Sequence, residues 1–328
     1  MKLIVNIPAY NEEKKISETI QRIKKSFGAA FYVSGAGKII TEKLIQLVDD
    51  GSSDKTVEKA REAGVDIVIS YKPNRRLAYA FKRAAESALE NSADLFVNID
   101  ADGQFDPEDI PKLLSPILAG KSDMVIANRF GDEESKNIPW IKDFLNRFAS
   151  SITGFFLGYH ISDLTCGFRA HSREALLRLN LTNVHFTYTQ ETIIDAIGKN
   201  LKLEWVPVKT IYFSDRKSKI VRSVRGFVSN SAKVMLKAIR DVRPMKFFGW
   251  PGLFFMAVGI LGFIDFLYRY LQTFKISPYL HTITFSSIAL FLGIQLLIFA
   301  FIADMIKSSR QLTEELMYQW KKDKYGKE

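Results

Sequence analysis

Asn98-Ile99-Asp100-Ala101-Asp102-Gly103-Gln104 is the stretch on which the reading of this chain turns. Asp94-Leu95-Phe96-Val97 before it reads as a buried strand running into a turn. Phe105-Asp106-Pro107-Glu108-Asp109 after it reads as a helix start, with Asp106 as N-cap and Pro107 at the first helical position. The acidic turn is therefore expected at the carboxyl end of a strand, where open α/β sheets bind ligands. In an extended Asp-x-Asp both side chains leave on the same face. Two such carboxylates repel each other unless a cation lies between them. Oxygen ligands of this kind suit Mg²⁺ or Mn²⁺, with Asp100 and Asp102 as ligands and Gln104 adding a neutral oxygen.

Outward from this turn, strands and helices alternate. Lys2 to Ile7 is a predicted strand broken by Pro8-Ala9-Tyr10-Asn11-Glu12-Glu13, and Ile16, Ile20, Ile23 and Phe27 follow at helical spacing. Gly28 to Lys38 reads as a loop. Leu44 to Val48 is a second strand, ending in Asp49-Asp50-Gly51-Ser52-Ser53-Asp54, with Ser53 or Asp54 as cap for the next helix. Further strands are expected at Val65–Ser70, Met124–Ala127 and Val206–Phe213, with helices over Leu77–Leu89, up to Leu118, from Trp140 to Phe148, and from Thr192 to Ile197. Such alternation predicts an α/β fold with a mostly parallel, Rossmann-like sheet. Three polar turns then share one sheet edge: Asn11-Glu12, Asp49-Asp50 and Asp100/Asp102.

The 328 residues hold one large domain and something smaller. A net charge of +10 points to an anionic partner. Cys166 is the single cysteine, so no intrachain disulfide forms, and it is expected as a small buried hydrophobe. Leu3-Ile4-Val5-Asn6-Ile7 is too short for a signal-peptide core.

From Arg216 to Lys246 there are ten Lys or Arg (216, 217, 219, 222, 225, 233, 237, 240, 243, 246) against one Asp. Apolar residues interleave at helical spacing, as in a helix lying on an anionic membrane surface. Nucleic acid competes for the same charges. The following residues decide for a lipid bilayer and against nucleic acid. Phe247–Leu271 and Thr282–Ile306 are apolar runs, each longer than the roughly 20 residues that span a bilayer. Basic residues crowd the outer flanks, so the positive-inside rule expects an integral membrane protein with the catalytic domain and both termini in the cytoplasm. Asp265 falls about 27 Å along the first span, near the far interface, where Arg269 can pair with it. Gly252, Gly259 and Gly262 offer close packing within the hairpin or between subunits of a homo-oligomer. The expected organisation is 1–215 catalytic domain, 216–246 basic amphipathic segment, 247–306 transmembrane hairpin and 307–328 basic tail.

Ile7-Pro8-Ala9-Tyr10-Asn11-Glu12-Glu13, Val48-Asp49-Asp50-Gly51-Ser52-Ser53-Asp54 and Asp100-Ala101-Asp102-Gly103-Gln104 together resemble family 2 glycosyltransferases of the GT-A fold. The resemblance runs on through Ala127-Asn128-Arg129-Phe130, Asp163 to Arg169, and Arg216 with Ser218-Lys219, and covers residues 1 to about 245. That pattern looks like the polyprenyl-phosphate subgroup, which includes dolichol-phosphate mannose synthases and bacterial lipid-phosphate glucosyltransferases. It implies a UDP- or GDP-linked nucleotide-sugar donor held by Pro8, Tyr10, Glu12, Asp50 and Lys219. It implies metal and diphosphate at Asp100, Asp102 and Gln104, and substrate phosphates at Arg129, Arg147 and Arg216. Inversion at the anomeric carbon is implied as well. Relatives carry a glycine-rich loop near Asn74 to Ala78, where this chain has Arg75 and Arg76.

A lipid phosphate acceptor is already an anion near neutral pH, so no base need deprotonate it. Charge is the obstacle instead, and a divalent cation with fixed guanidinium groups opposes it. A glycan hydroxyl acceptor would need a base, for which Asp163 and Glu191 are the candidates. Asp163 would otherwise orient the arginines. A non-catalytic scaffold that binds nucleotide sugar is the alternative of another class. A processive polymerase fits poorly, since the Gln-x-x-Arg-Trp signature is absent.

Overall fold

The computed structural model describes residues 1–28, 39–131, 140–180, 188–210 and 239–326, together with Ala232, Lys233 and Leu236. Contacts divide the chain into two units: Met1–Val234 with Leu316–Glu328, and Met235–Glu315.

The first unit is built on a seven-stranded sheet in the order β3-β2-β1-β4-β6-β5-β7. The strands are β1 Lys2–Ala9, β2 Glu42–Asp49, β3 Ile67–Ser70, β4 Leu95–Asn98, β5 Met124–Asn128, β6 Arg169–Ser172 and β7 Leu203–Pro207. Every pairing is parallel except the two made by β6, which runs against both β4 and β5. The expected α/β architecture is present. The sequence reading omits β6, because Arg-Ala-His-Ser lacks the apolar run that marks a buried strand, yet Arg169 and His171 are fully buried. The reading also sets β7 too late: it starts at Leu203 and ends at Pro207, and 211–213 lie outside the described residues.

Helices cover both faces: α1 Ile16–Ser26, α2 Thr56–Glu62, α3 Arg76–Glu90, α4 Ile110–Leu118, α5 Trp140–Leu157, α6 Arg173–Arg178 and α7 Tyr188–Gly198. Their apolar stripes bury Ile16, Ile20 and Ile23 of α1 and Ala80, Phe81 and Ala84 of α3 against Val- and Ile-rich strands. Asp106 caps as expected, accepting the Glu108 N–H at 3.2 Å, with a 3₁₀ turn at Pro107–Asp109 leading into α4. α7 begins at Tyr188, so Glu191 sits within its first turn rather than ahead of it. Cys166 is buried, and that burial pushes its thiol up to about 12.

The C-terminal residues also belong to this unit. Helix α9, Leu280–Tyr325, does not stop with the apolar run at Ile306. Tyr318 Oη donates to Glu174 Oε2 (3.1 Å), and Lys321 Nζ donates to the Leu179 carbonyl and to Asn180 Oδ1 (2.8 Å each). The Arg178 guanidinium lies over the Tyr318 ring at 4.1 Å. Tyr318, Lys321 and Tyr325 recur at helical spacing on one face, the signal that marks this stretch as a docked helix rather than a tail.

The second unit holds a π-helical turn, Met245–Gly249, then α8, Trp250–Thr273, and the apolar part of α9. Met245–Thr273 and Ser277–Tyr325 are long and apolar enough to cross a membrane. Arg269 Nε meets both Asp265 oxygens at 3.0 and 2.9 Å, as their spacing predicts. The glycines are taken up within the hairpin. A side-chain carbon on Gly259 would stand 2.7 Å from Leu290 N, and one on Gly252 would stand 3.1 Å from the Gly293 carbonyl. Helices that close pack by dispersion, which any added bulk would forfeit. Gly259→Leu is expected to cost about 1–3 kcal/mol by overpacking. Reduced disulfide yield between cysteines placed on facing turns of α8 and α9 would report it.

Candidate active site

The carboxyl ends of β1, β2, β4 and β5 lie on one sheet edge, because these strands are mutually parallel. The expected turns therefore share one crevice. At the end of β1, Pro8 is buried, Tyr10 is 43% exposed and Glu12 is half-buried. At the end of β2, Asp50 is nearly covered, and burial raises its pKa above the ordinary carboxylate range. Its Oδ1 accepts the Arg75 N–H at 2.7 Å, and its carbonyl accepts from Asn74 Nδ2 at 2.9 Å. Gly51 permits this closure: at φ +78°, a side chain there would meet the Tyr71 carbonyl at 3.0 Å. The Asn74-Arg75 turn that leads into α3 is thus packed onto Asp50. Arg75 covers the Tyr79 ring at 4.7 Å. Arg76 takes φ +72°, a left-handed conformation that favours glycine.

At the end of β4, Asp102 Oδ1 accepts the Gln104 N–H at 3.0 Å, while the Gln104 side chain is half-buried. Asp100 is raised to about 7, first by burial and then by the charge of Asp102, with Arg129 and Arg169 pulling the other way. No hydrogen-bond donor among the described residues reaches its carboxylate. Two crowded, like-charged carboxylates, with Asp100 accepting no hydrogen bond from a described residue, suit a divalent cation, so the pair fits one. Among the described residues there is no cluster of three or more His, Cys, Asp or Glu. A cation here would take its other ligands from Gln104, substrate phosphates and water, as Mg²⁺ commonly does.

Just past β5, Arg129 is 7% exposed and clamped to the fully buried Asp163. Nε reaches Oδ2 at 2.8 Å and Nη2 reaches Oδ1 at 2.9 Å, with Thr165 Oγ1 at 2.7 Å from the same Nη2. Burial alone would raise Asp163, but the Arg129 charge together with the hydrogen bonds from Arg129 and from the Thr165 N–H overcomes it and holds the carboxyl below the usual range. Trp205 Nε1 donates to the Asp163 carbonyl at 2.9 Å and fixes the loop. Arg147, on α5, donates through Nε to Asp143 Oδ1 (2.6 Å) and through Nη2 to the carbonyl of Phe130, the residue after Arg129 (3.2 Å). A pocket of about 550 Å³ opens there, with Asn128, Phe130, Arg147, Ser151, Phe155 and His160 in its wall. Glu191 is half-buried on α7. Arg216 and Lys219 lie outside the described residues, as do Ala29 to Lys38 of the expected Gly28–Lys38 loop and most of the 216–246 segment.

The sequence reading misses a row of buried amides behind this edge. Gln46, Asn6 and Asn98 face each other across β2, β1 and β4 in register and are fully or almost fully buried. Each interrupts an apolar strand at the matching place: Leu-Ile-Gln, Ile-Val-Asn and Phe-Val-Asn. That coincidence is the available signal. Arg169 is missed for a related reason, since charged residues are seldom fully buried.

The family described as Glycosyl transferase family 2 matches residues 4–179. An uncharacterised protein of Methanocaldococcus jannaschii is 36% identical over 240 residues, covering 72% of this chain and 90% of that one. The UDP-N-acetylglucosamine–dolichyl-phosphate N-acetylglucosaminyltransferase of Methanococcus voltae is 30% identical over 250 residues, covering 70% and 94%. Among solved structures, glucosyl-3-phosphoglycerate synthase of Mycobacterium tuberculosis, in complex with Mn²⁺, UDP and its product, superposes with a TM-score of 0.54. It is 20% identical and the match covers 74% of this chain and 79% of that one, a likeness of fold alone.

Proposed function

The chain belongs to glycosyltransferase family 2 and has its GT-A-like fold, and on that premise we propose that it moves a sugar from a UDP- or GDP-linked donor to a polyprenyl phosphate. We assign inversion at the anomeric carbon and a Mg²⁺ or Mn²⁺ cofactor to the same reaction. The supporting observation is that the Asp100/Asp102 turn and Arg129 follow parallel strands on one sheet edge, while Arg147 lines a polar and aromatic pocket that includes Asn128 and Phe130 on either side of Arg129.

In this reading Tyr10 offers its exposed ring to the base, while Pro8, Glu12, Asp50 and Lys219 shape the nucleoside site. Asp100, Asp102 and Gln104 hold the cation, which when bound neutralises the donor diphosphate and the charge the leaving nucleotide gains. Arg147, with Ser151 one turn on, receives the acceptor phosphate, and Arg216 adds a further positive charge. A phosphate oxygen attacks the anomeric carbon as its bond to the nucleotide breaks, and no proton moves. Asp163 keeps Arg129 in place. A carboxylate clamped bidentately and held below its usual pKa is a poor base, which weighs against a glycan hydroxyl acceptor activated by Asp163. The two apolar helices and the basic flanks support an integral membrane protein with its catalytic domain and termini in the cytoplasm, near the acceptor's headgroup.

Incubating the purified protein with Mn²⁺, undecaprenyl or dolichyl phosphate and a panel of nucleotide sugars tests this. Sugar-lipid from one donor is expected. No product with any donor would refute it.

A further inference from the structure

The row of buried amides has a fixed direction. Gln46 Nε2 donates to the Ala84 carbonyl (3.2 Å) and to Asn6 Oδ1 (3.0 Å). Asn6 Nδ2 donates to Asn98 Oδ1 (2.7 Å). Asn98 Nδ2 donates to the Gly167 carbonyl (3.1 Å) and lies 3.4 Å from Tyr188 Oη. Both backbone carbonyls can only accept, so the row cannot be reversed by flipping an amide. Tyr188 Oη therefore receives the Asn98 N–H, and its own proton points away from Asn98.

Tyr188 is 1% exposed, and no acceptor for that proton is within hydrogen-bond reach among the described residues. A buried hydroxyl whose proton is turned from Asn98 and meets no acceptor among the described residues calls for a partner. Gly167 shows which polar group lies beside it. A side-chain carbon on Gly167 would stand 3.0 and 3.2 Å from the two Asp100 oxygens and 3.3 Å from Tyr188 Oη. Carboxylate and phenol thus border one point in space, and only glycine keeps it clear.

We propose that Tyr188 is a positioning residue for Asp100, its hydroxyl dipole turned toward the carboxylate across Gly167 so that Asp100 is held ready for a divalent cation. The amide row anchors this dipole to three strands, so the orientation is set by the sheet and not by a loop. The inference rests on Asp100 being a ligand, as read above. Groups that orient a metal ligand typically contribute 10–100-fold in affinity.

Mn²⁺ titration of the full-length, detergent-purified protein, followed by electron paramagnetic resonance, tests it. Tyr188→Phe keeps the ring that packs 5.0 Å from Phe81 and removes only the hydroxyl. Its Mn²⁺ Kd is expected to rise about 10–100-fold with thermal unfolding little changed, and kcat at saturating Mn²⁺ to stay within a few-fold of wild type. Gly167→Ala, whose added carbon crowds both Asp100 and Tyr188 Oη at the point between them, is expected to weaken Mn²⁺ binding as well. Wild-type Mn²⁺ affinity in Tyr188→Phe, with Asp100→Asn losing the ion, would overturn the role of Tyr188 alone. No Mn²⁺ binding by wild type, or undiminished binding by Asp100→Asn, would remove the metal reading and this inference with it.

Discussion

Asp102→Asn is expected to lower kcat about a thousandfold or more while leaving the protein folded. The substitution keeps size and shape, and an amide oxygen still accepts the Gln104 N–H that Asp102 Oδ1 accepts at 3.0 Å. One negative charge is lost from a pair whose mutual repulsion helps raise Asp100 to about 7. If that paired charge holds a cation, halving it weakens the cation's grip and exposes the departing diphosphate. A thousandfold corresponds to about 4 kcal/mol at 1.36 kcal/mol per decade, within what one divalent ion contributes. Glu108→Gln, on an exposed residue of the turn that follows, controls for net charge and is expected to retain full activity. Transfer by Asp102→Asn at more than a tenth of the wild-type rate would contradict the assignment.

Arg129→Met is expected to destabilise the first unit by about 3–5 kcal/mol, because it strands a buried carboxylate. Asp163 is fully buried, and two of its partners are the Nε and Nη2 of this one guanidinium. Arg129→Lys keeps the charge and loses the fork, so it should fall between. Adding Asp163→Leu to Arg129→Met removes both charges and is expected to recover most of the stability while transfer stays impaired. Denaturant unfolding in detergent measures all three. The pH dependence follows in sign. Asp163 binds its proton more weakly in the fold than in the unfolded chain, so the pair stabilises above the unfolded value of about 3.9. That contribution is lost as the pH falls below it, through the folded value. Equal stability of Arg129→Met and wild type at pH 7 would contradict this account of the clamp.

The strand-end turns were legible because each combines an abrupt end to an apolar run with residues that only a turn tolerates well. Asp100, Asp102, Asp50 and Glu12 could be placed on one edge from alternation alone. What defied the reading is buried polarity. Arg169 and His171 sit in a strand that has no apolar signature, and the amides of Gln46, Asn6 and Asn98 look like blemishes until the register aligns them. The ion pair of Arg129 with Asp163 joins residues 34 apart, a distance that only the fold closes. Docking of Tyr318 and Lys321 was hidden by a basic composition that also suits a solvated tail.

A single comparison bears hardest on the idea that a phosphate, not a hydroxyl, receives the sugar. Purified protein is given its donor, Mn²⁺ and either undecaprenyl phosphate or undecaprenol, and radiolabelled sugar in the lipid phase is counted. Sugar-lipid from undecaprenyl phosphate and none from undecaprenol is the expected result. Comparable product from both would mean that the site deprotonates a hydroxyl, and the charge-neutralising account would fail.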